Sequence, residues 1–158
     1  MTVSVKKVLD SEIERIRVSD EEISYLKNLT NLVIRQLNKK IEKKGIMADV
    51  FVGGSLAKDT LIKKSKYDVD LFVRFSKKYS EDEIKRYMKK LFFWFRVPGQ
   101  RIRKKRIHGS RDYYRIDIKS RKGFSFEIVP TVKVTDPKNA RNITDLSFFH
   151  VNYIKKKA

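Results

Sequence analysis

The 158-residue sequence contains no cysteine. That excludes disulfides and thiolate metal sites and leads us to expect a reducing, cytoplasmic setting. Only three prolines and six glycines occur, so each reads as punctuation in one folded unit rather than as part of a linker. No apolar run approaches the roughly 18–20 residues that would cross a bilayer, and no membrane partner is expected. The amino terminus, MTVSVKKVLDSEIERI, lacks the apolar core of a signal peptide. Acidic residues are scarce: 19 Asp and Glu stand against 38 Lys and Arg.

The composition that remains is that of a folded chain, 41% hydrophobic with 10 Phe, 7 Tyr and one Trp. Its length suits a single domain with its own core, taken as residues 1–158. The net charge of +19 favours a polyanionic partner, nucleic acid first. A chain enriched in charge for thermal stability would raise both signs together, and here only the positive sign is in excess.

Ser19-Asp20-Glu21-Glu22 reads as a capping box, followed by Ile23, Leu26, Val33, Leu37 and Ile41 at helical spacing up to Gly45. This makes 1–45 a helical amino-terminal part. Residues 46–52 read as a strand running into Gly53-Gly54, with a short helix at Ser55–Leu61. DVDLFVRF (68–75) alternates as a strand. A second capping box at Ser80–Glu83 opens a helix with Ile84, Met88, Leu91 and Phe95 facing inward, closed by Pro98-Gly99. Three strands in a meander follow, joined by turns at 108–112 and 120–123, so the motif-bearing sheet spans 46–135. A helix is predicted over 145–158, apolar on one side at Phe148, Phe149, Val151 and Ile154.

Asp68 and Asp70 share one strand face. Placed together they raise one another's pKa unless a cation sits between them. A polar outer face is the plain reading, and a Mg²⁺ ion with substrate phosphates is the chemical one. Two features favour the latter. A Gly-Gly-Ser turn offers bare backbone N–H groups, with the Ser55 hydroxyl and Lys58 beside it. Glu127 supplies a third acid on a strand face with Ser125 and Val129. Thr60 either caps the short helix or touches phosphate. His108 reads as solvated in a hairpin turn. The stretch RIRKKRIHGSRDYYR mixes Arg101, Arg103, Lys104, Lys105 and Arg106 with Tyr113 and Tyr114. It suits either a single-stranded RNA contact or a solvated edge strand.

Gly-Gly-Ser, then Asp-x-Asp, then a distant strand acid before Val-Pro resembles the DNA polymerase β-type nucleotidyltransferase superfamily. Within it the chain is most similar to the catalytic head of archaeal class I CCA-adding tRNA nucleotidyltransferases, from about Phe51 to Tyr153. The resemblance implies an α+β fold, a small mixed sheet carrying the carboxylates and backed by helices. It implies Asp68, Asp70 and Glu127 as catalytic ligands of two Mg²⁺ ions. Gly53, Gly54, Ser55, Lys58 and Thr60 would hold the NTP (ATP or CTP), with Ser147 and His150 matching a hydroxyl–x–x–His pair that faces the nucleotide. The family would place Glu at Asp68 and Asp at Glu127, an exchange that keeps carboxylate chemistry. The implied reaction moves a nucleoside monophosphate onto an RNA hydroxyl, a tRNA 3′ end first, releasing pyrophosphate. The family continues into neck, body and tail domains, so a longer protein, or a dimer partner over the last helix, is expected. Two other readings fit the same residues: a stand-alone nucleotidyltransferase that modifies protein or makes oligonucleotides, and a nucleic-acid-binding module with a decayed site.

Overall fold

A computed structural model describes residues 4–119 and 123–157. The predicted turn at 120–123 lies, apart from Gly123, outside the described residues. The first helix, α1 (Val5–Ile16), has no buried residue and was not anticipated from the sequence. Its apolar positions Val5, Val8, Leu9, Ile13 and Ile16 are all exposed. Ser19 then caps α2 (Asp20–Lys43) by accepting from the Glu22 amide at 3.2 Å. β1 (Ala48–Val52) leads through Gly53 into α3 (Gly54–Ala57), a single turn shorter than predicted. β2 (Tyr67–Phe75) follows, and Ser80 with Glu83 forms a reciprocal capping box at the start of α4 (Glu81–Phe92).

The remaining strands are β3 (Ile102–Ile107), β4 (Tyr113–Ile118) and β5 (Phe124–Val132). Two 3-10 turns, Pro137–Asn139 and Ile143–Leu146, precede α5 (Ser147–Lys157). The five strands form one mixed sheet in the order β1-β2-β5-β4-β3. β2 and β5 run parallel, and the other neighbours are antiparallel. No helix among the described residues is long and apolar enough to cross a membrane.

Alternation along β2 buries Tyr67, Val69, Leu71, Val73 and Phe75. They join Leu26, Val33 and Leu37 of α2 and Ile84, Met88 and Leu91 of α4 in one core. The opposite face of the sheet is thereby left to Asp68, Asp70, Phe72 and Arg74. α5 lies on that face, where Phe148 meets the Phe51 ring edge-on at 5.3 Å and stands under the Arg74 guanidinium at 4.1 Å. Val151 is its buried residue, while Phe148, Phe149 and Ile154 are half-buried, so part of its apolar side is covered by the chain itself.

Two elements depart from the expected pattern. α4 ends at Phe92, not at Pro98, because Trp94 turns left-handed with φ +56°. Phe95 still reaches the core from outside the helix. Lys40 on α2 donates to the carbonyls of Leu91 and Phe93, satisfying acceptors that the helix end leaves open. β5 continues through Pro130, which a strand interior ordinarily rejects. Pairing with β4 stops at Ile128, so the side on which proline lacks its N–H has no strand beside it. Asp145 closes that open side, accepting from the amides of Val132 at 2.7 Å, Arg141 at 3.0 Å and Asn142 at 3.1 Å. The Asp145 carboxylate and the Arg111 guanidinium, both buried, form an ion pair that ties the 3-10 turn to the β3–β4 hairpin.

Candidate active site

The parallel register of β2 and β5 sets Asp70 opposite Glu127 and Asp68 opposite Ser125. Three carboxylates from two distant stretches thus occupy adjacent positions on one face. β4 adds a second row, with Arg115 opposite Glu127 and Asp117 opposite Ser125. The Arg115 guanidinium reaches Asp68 at 3.2 Å, Glu127 at 3.4 Å, Asp117 at 3.0 Å and the Ser125 hydroxyl at 3.0 Å. Ser125 in turn donates to Asp68.

The repulsion raised by Asp68 and Asp70 therefore has a partner within the chain. Sequence reading missed Arg115. Its signal was present in YYRIDI, where alternation puts Tyr113, Arg115 and Asp117 on one face. Only the hairpin register shows that this face is the one carrying the acids.

Burial pushes the Asp70 carboxyl above the usual aspartate range; Asp68 adds to the rise and Lys58 opposes it. Glu127 is raised by burial and by Asp70, while Arg115 pulls it down. The guanidinium of Arg115 is held protonated more firmly than usual, first by its hydrogen bond to Asp117 and then by Asp68 and Glu127.

The glycine turn is built against this row. The Gly53 amide donates to the Asp70 carbonyl at 2.8 Å. A Cβ on Gly53 would stand 2.8 Å from Cδ2 of the Phe72 ring. Gly54 has φ +61°, and a Cβ there would lie 3.0 Å from Asp70 Cγ and closer still to its Oδ2. Both positions exclude side chains, and that exclusion lets Asp70 lie against the turn.

Ser55 is half-buried at the start of α3, and Lys58 at its end is near enough to Asp70 to affect its charge. Thr60 is exposed past the helix, its amide donating to the Ser55 carbonyl at 3.0 Å, so it does not cap the start of α3. Ser147 is half-buried and His150 exposed on α5. Among the described residues no hydrogen bond joins either one to the turn. His108 is exposed and stands 3.0 Å from Asp112.

The five basic residues from 101 to 106 do not share one surface. Arg103 and Lys105 pair across from Asp117 and Arg115, on the carboxylate side of the sheet. Lys104 and Arg106 pair across from Ile116 and Tyr114, on the helix side. Arg103 and Arg106 are ion-paired, to Asp117 at 2.8 Å and to Asp112. Arg101 is exposed just before β3.

Among the described residues the acids do not close into a cage of three ligands for one ion. They nonetheless suit Mg²⁺, which binds through one or two carboxylates and fills its shell with water and phosphate oxygens. The space that Gly54 leaves empty beside Asp70 fits such a ligand set.

Residues 1–147 match the family described as the Second Messenger Oligonucleotide or Dinucleotide Synthetase domain. The CCA-adding enzyme of Nanoarchaeum equitans is 40% identical over 116 residues, which are 73% of this chain and 27% of that protein. The CCA-adding enzyme of Pyrococcus horikoshii is 28% identical over 96% of this chain and 32% of its own length. The chain thus spans about a third or less of these relatives. Among solved structures, E. coli MS115-1 CdnC with ATP superposes with a TM-score of 0.65 at 16% identity, over 98% of this chain and 52% of that one. The Cid1 poly(U) polymerase gives 0.59 at 18% identity, over 94% of this chain and 41% of its own. The acid row, the glycine turn against it and the match over residues 1–147 agree, and the chain belongs to the second messenger oligonucleotide or dinucleotide synthetase family as a nucleotidyltransferase domain of polymerase β-like fold.

Proposed function

We propose that the chain transfers a nucleoside monophosphate from an NTP, ATP or CTP, to the 3′ hydroxyl of an RNA, a tRNA end first. One observation carries the reading: Asp68, Asp70 and Glu127 stand on neighbouring strands with the Gly53–Ser55 turn packed on Asp70. The relatives named CCA-adding enzymes and the +19 charge support RNA as the acceptor.

In this reading the hydroxyl oxygen bonds to the α-phosphorus as the bond to the bridging oxygen breaks. Pyrophosphate leaves on the opposite side, and the hydroxyl proton passes to water. Bound Mg²⁺, held by Asp68, Asp70 and Glu127, would supply phosphate charge neutralisation and a lowered pKa for the attacking hydroxyl. The Gly54 amide, the Ser55 hydroxyl and Lys58 hold the triphosphate. Ser147 and His150 border the nucleotide from α5. Arg115 keeps the carboxylates aligned and yields Asp68 and Glu127 when they turn to the ligand. Further domains, or a partner chain, would position the tRNA.

A second reading has its own support. The matching family description and the CdnC superposition favour a product built from nucleotides alone. Incubation with labelled NTPs, Mg²⁺ and total tRNA, with and without the RNA, separates the two. Label on tRNA is the expected result. Label found only in short oligonucleotides, made equally without RNA, would replace the first reading with the second, and no transfer to any acceptor would overturn both.

A further inference from the structure

The end of α4 takes a form that its own sequence does not favour. Phe93 and Trp94 are each 69% exposed, between the buried Phe92 and Phe95. Trp94 holds φ +56°, a region bulky residues rarely enter and in which glycine would sit without cost. The left-handed turn presents both rings to solvent, where they meet edge-on at 5.7 Å. Such a departure points to a role beyond packing.

Cations converge on the same place. Burial and then Lys44, Lys104 and Lys43 depress the pKa of Lys40, so these four ammonium groups lie near one another at the ends of α2 and α4. Lys104 donates to the Phe92 carbonyl at 3.1 Å. A groove beside them is lined by Lys89, Lys105 and Arg106 with Phe92 and Phe93. Like charges gathered at mutual cost around two exposed rings match the chemistry of unpaired RNA, whose phosphates take the lysines and whose bases stack on aromatic faces. The core of a protein–protein interface is ordinarily depleted of lysine.

We propose that Phe93, Trp94 and the surrounding lysines form a second binding surface, for an unpaired segment of RNA, on the helix side of the sheet. The proposal rests on the RNA reading given above. The route between the two sites runs over β3, an edge strand that carries Arg103 and Lys105 on the carboxylate side and Lys104 and Arg106 on the helix side. From β5 to β3 is two strand spacings, roughly 10 Å. An RNA whose 3′ end sits at the carboxylates crosses that edge to reach the rings.

Trp94 is the only tryptophan in the chain, so its fluorescence reports on this surface alone. The full chain is titrated with a labelled oligoribonucleotide of about 12 nucleotides, without NTP, following Trp94 emission and label anisotropy together. RNA should quench Trp94 in step with the anisotropy change. A Phe93→Ala/Trp94→Gly variant, whose glycine relieves the left-handed position, should fold normally and bind RNA at least about tenfold more weakly. Lys43→Gln with Lys44→Gln should flatten the salt dependence by about 0.7 in log–log slope for each phosphate no longer neutralised.

RNA binding with unchanged Trp94 emission and an unaffected double variant would overturn the proposal, as would absence of any RNA binding. Dissociation of a dimer by the double variant, with RNA affinity unchanged, would also overturn it and make the occupant a second copy of the chain. Quenching without nucleotide transfer to RNA would uphold this surface and refute the transferase reading. Extension of tRNA with Trp94 silent would do the reverse.

Discussion

Replacing Gly54 by alanine separates the fold from the site. The left-handed φ of +61° costs a residue bearing Cβ about 1–2 kcal/mol. For a chain of this size that corresponds to a fall of roughly 2–8 °C in thermal midpoint. The new methyl also meets the Asp70 carboxylate, which can swing aside because it is the end of a flexible side chain. The swing spares the fold and displaces a ligand. A shift on the order of 1 Å at a reacting centre costs about a hundredfold in rate. Gly45 supplies the control, since it has φ +60° and nothing within 4 Å of where its Cβ would stand. Gly45→Ala should therefore lose similar stability and keep its activity. Scanning fluorimetry and labelled-NTP transfer on both variants test this. If Gly54→Ala transfers nucleotide as fast as Gly45→Ala, the packing of the turn on Asp70 has no part in the chemistry.

Arg115→Met should destabilise the metal-free protein and enlarge the thermal shift produced by Mn²⁺, because a cation that competes for Asp68 and Glu127 is gone. A smaller Mn²⁺ shift than in the parent would show that Arg115 aids rather than rivals the ion. Asp70 has a raised pKa in the folded state, so the stability tied to its proton is complete below the unfolded aspartate value and is lost as pH rises through the folded one. In EDTA, Asp70→Asn should accordingly raise the thermal midpoint at pH 7, with the gain fading as pH falls toward 4; an equal gain at both pH values would refute the burial argument. Asp145→Ala strands the buried Arg111 and three amides, and should cost about 3–5 kcal/mol in urea unfolding. A loss below about 1 kcal/mol would mean that water replaces the carboxylate.

Caps, periods and turns are local chemistry, and the sequence by itself determined them. Ser19 and Ser80 announced α2 and α4 because an N-cap acts on amides three residues away. Alternation placed Asp68 with Asp70, and Glu127 with Ser125, because successive strand residues point to opposite faces. Helix α1 escaped notice because it buries nothing and Ser4 makes no capping hydrogen bond.

Tertiary structure decided what distant segments do to one another. The parallel pairing of β2 with β5 put Glu127 beside Asp70, and the β4 register brought Arg115 among the acids. Lys40, from another helix, satisfied the carbonyls at the end of α4 that let Phe93 and Trp94 turn outward. Asp145 made room in β5 for Pro130 by taking the place of a neighbouring strand. Strand register and ion pairing depend on which backbones meet across the sheet, and the periodicity of any one segment carries no record of its neighbour.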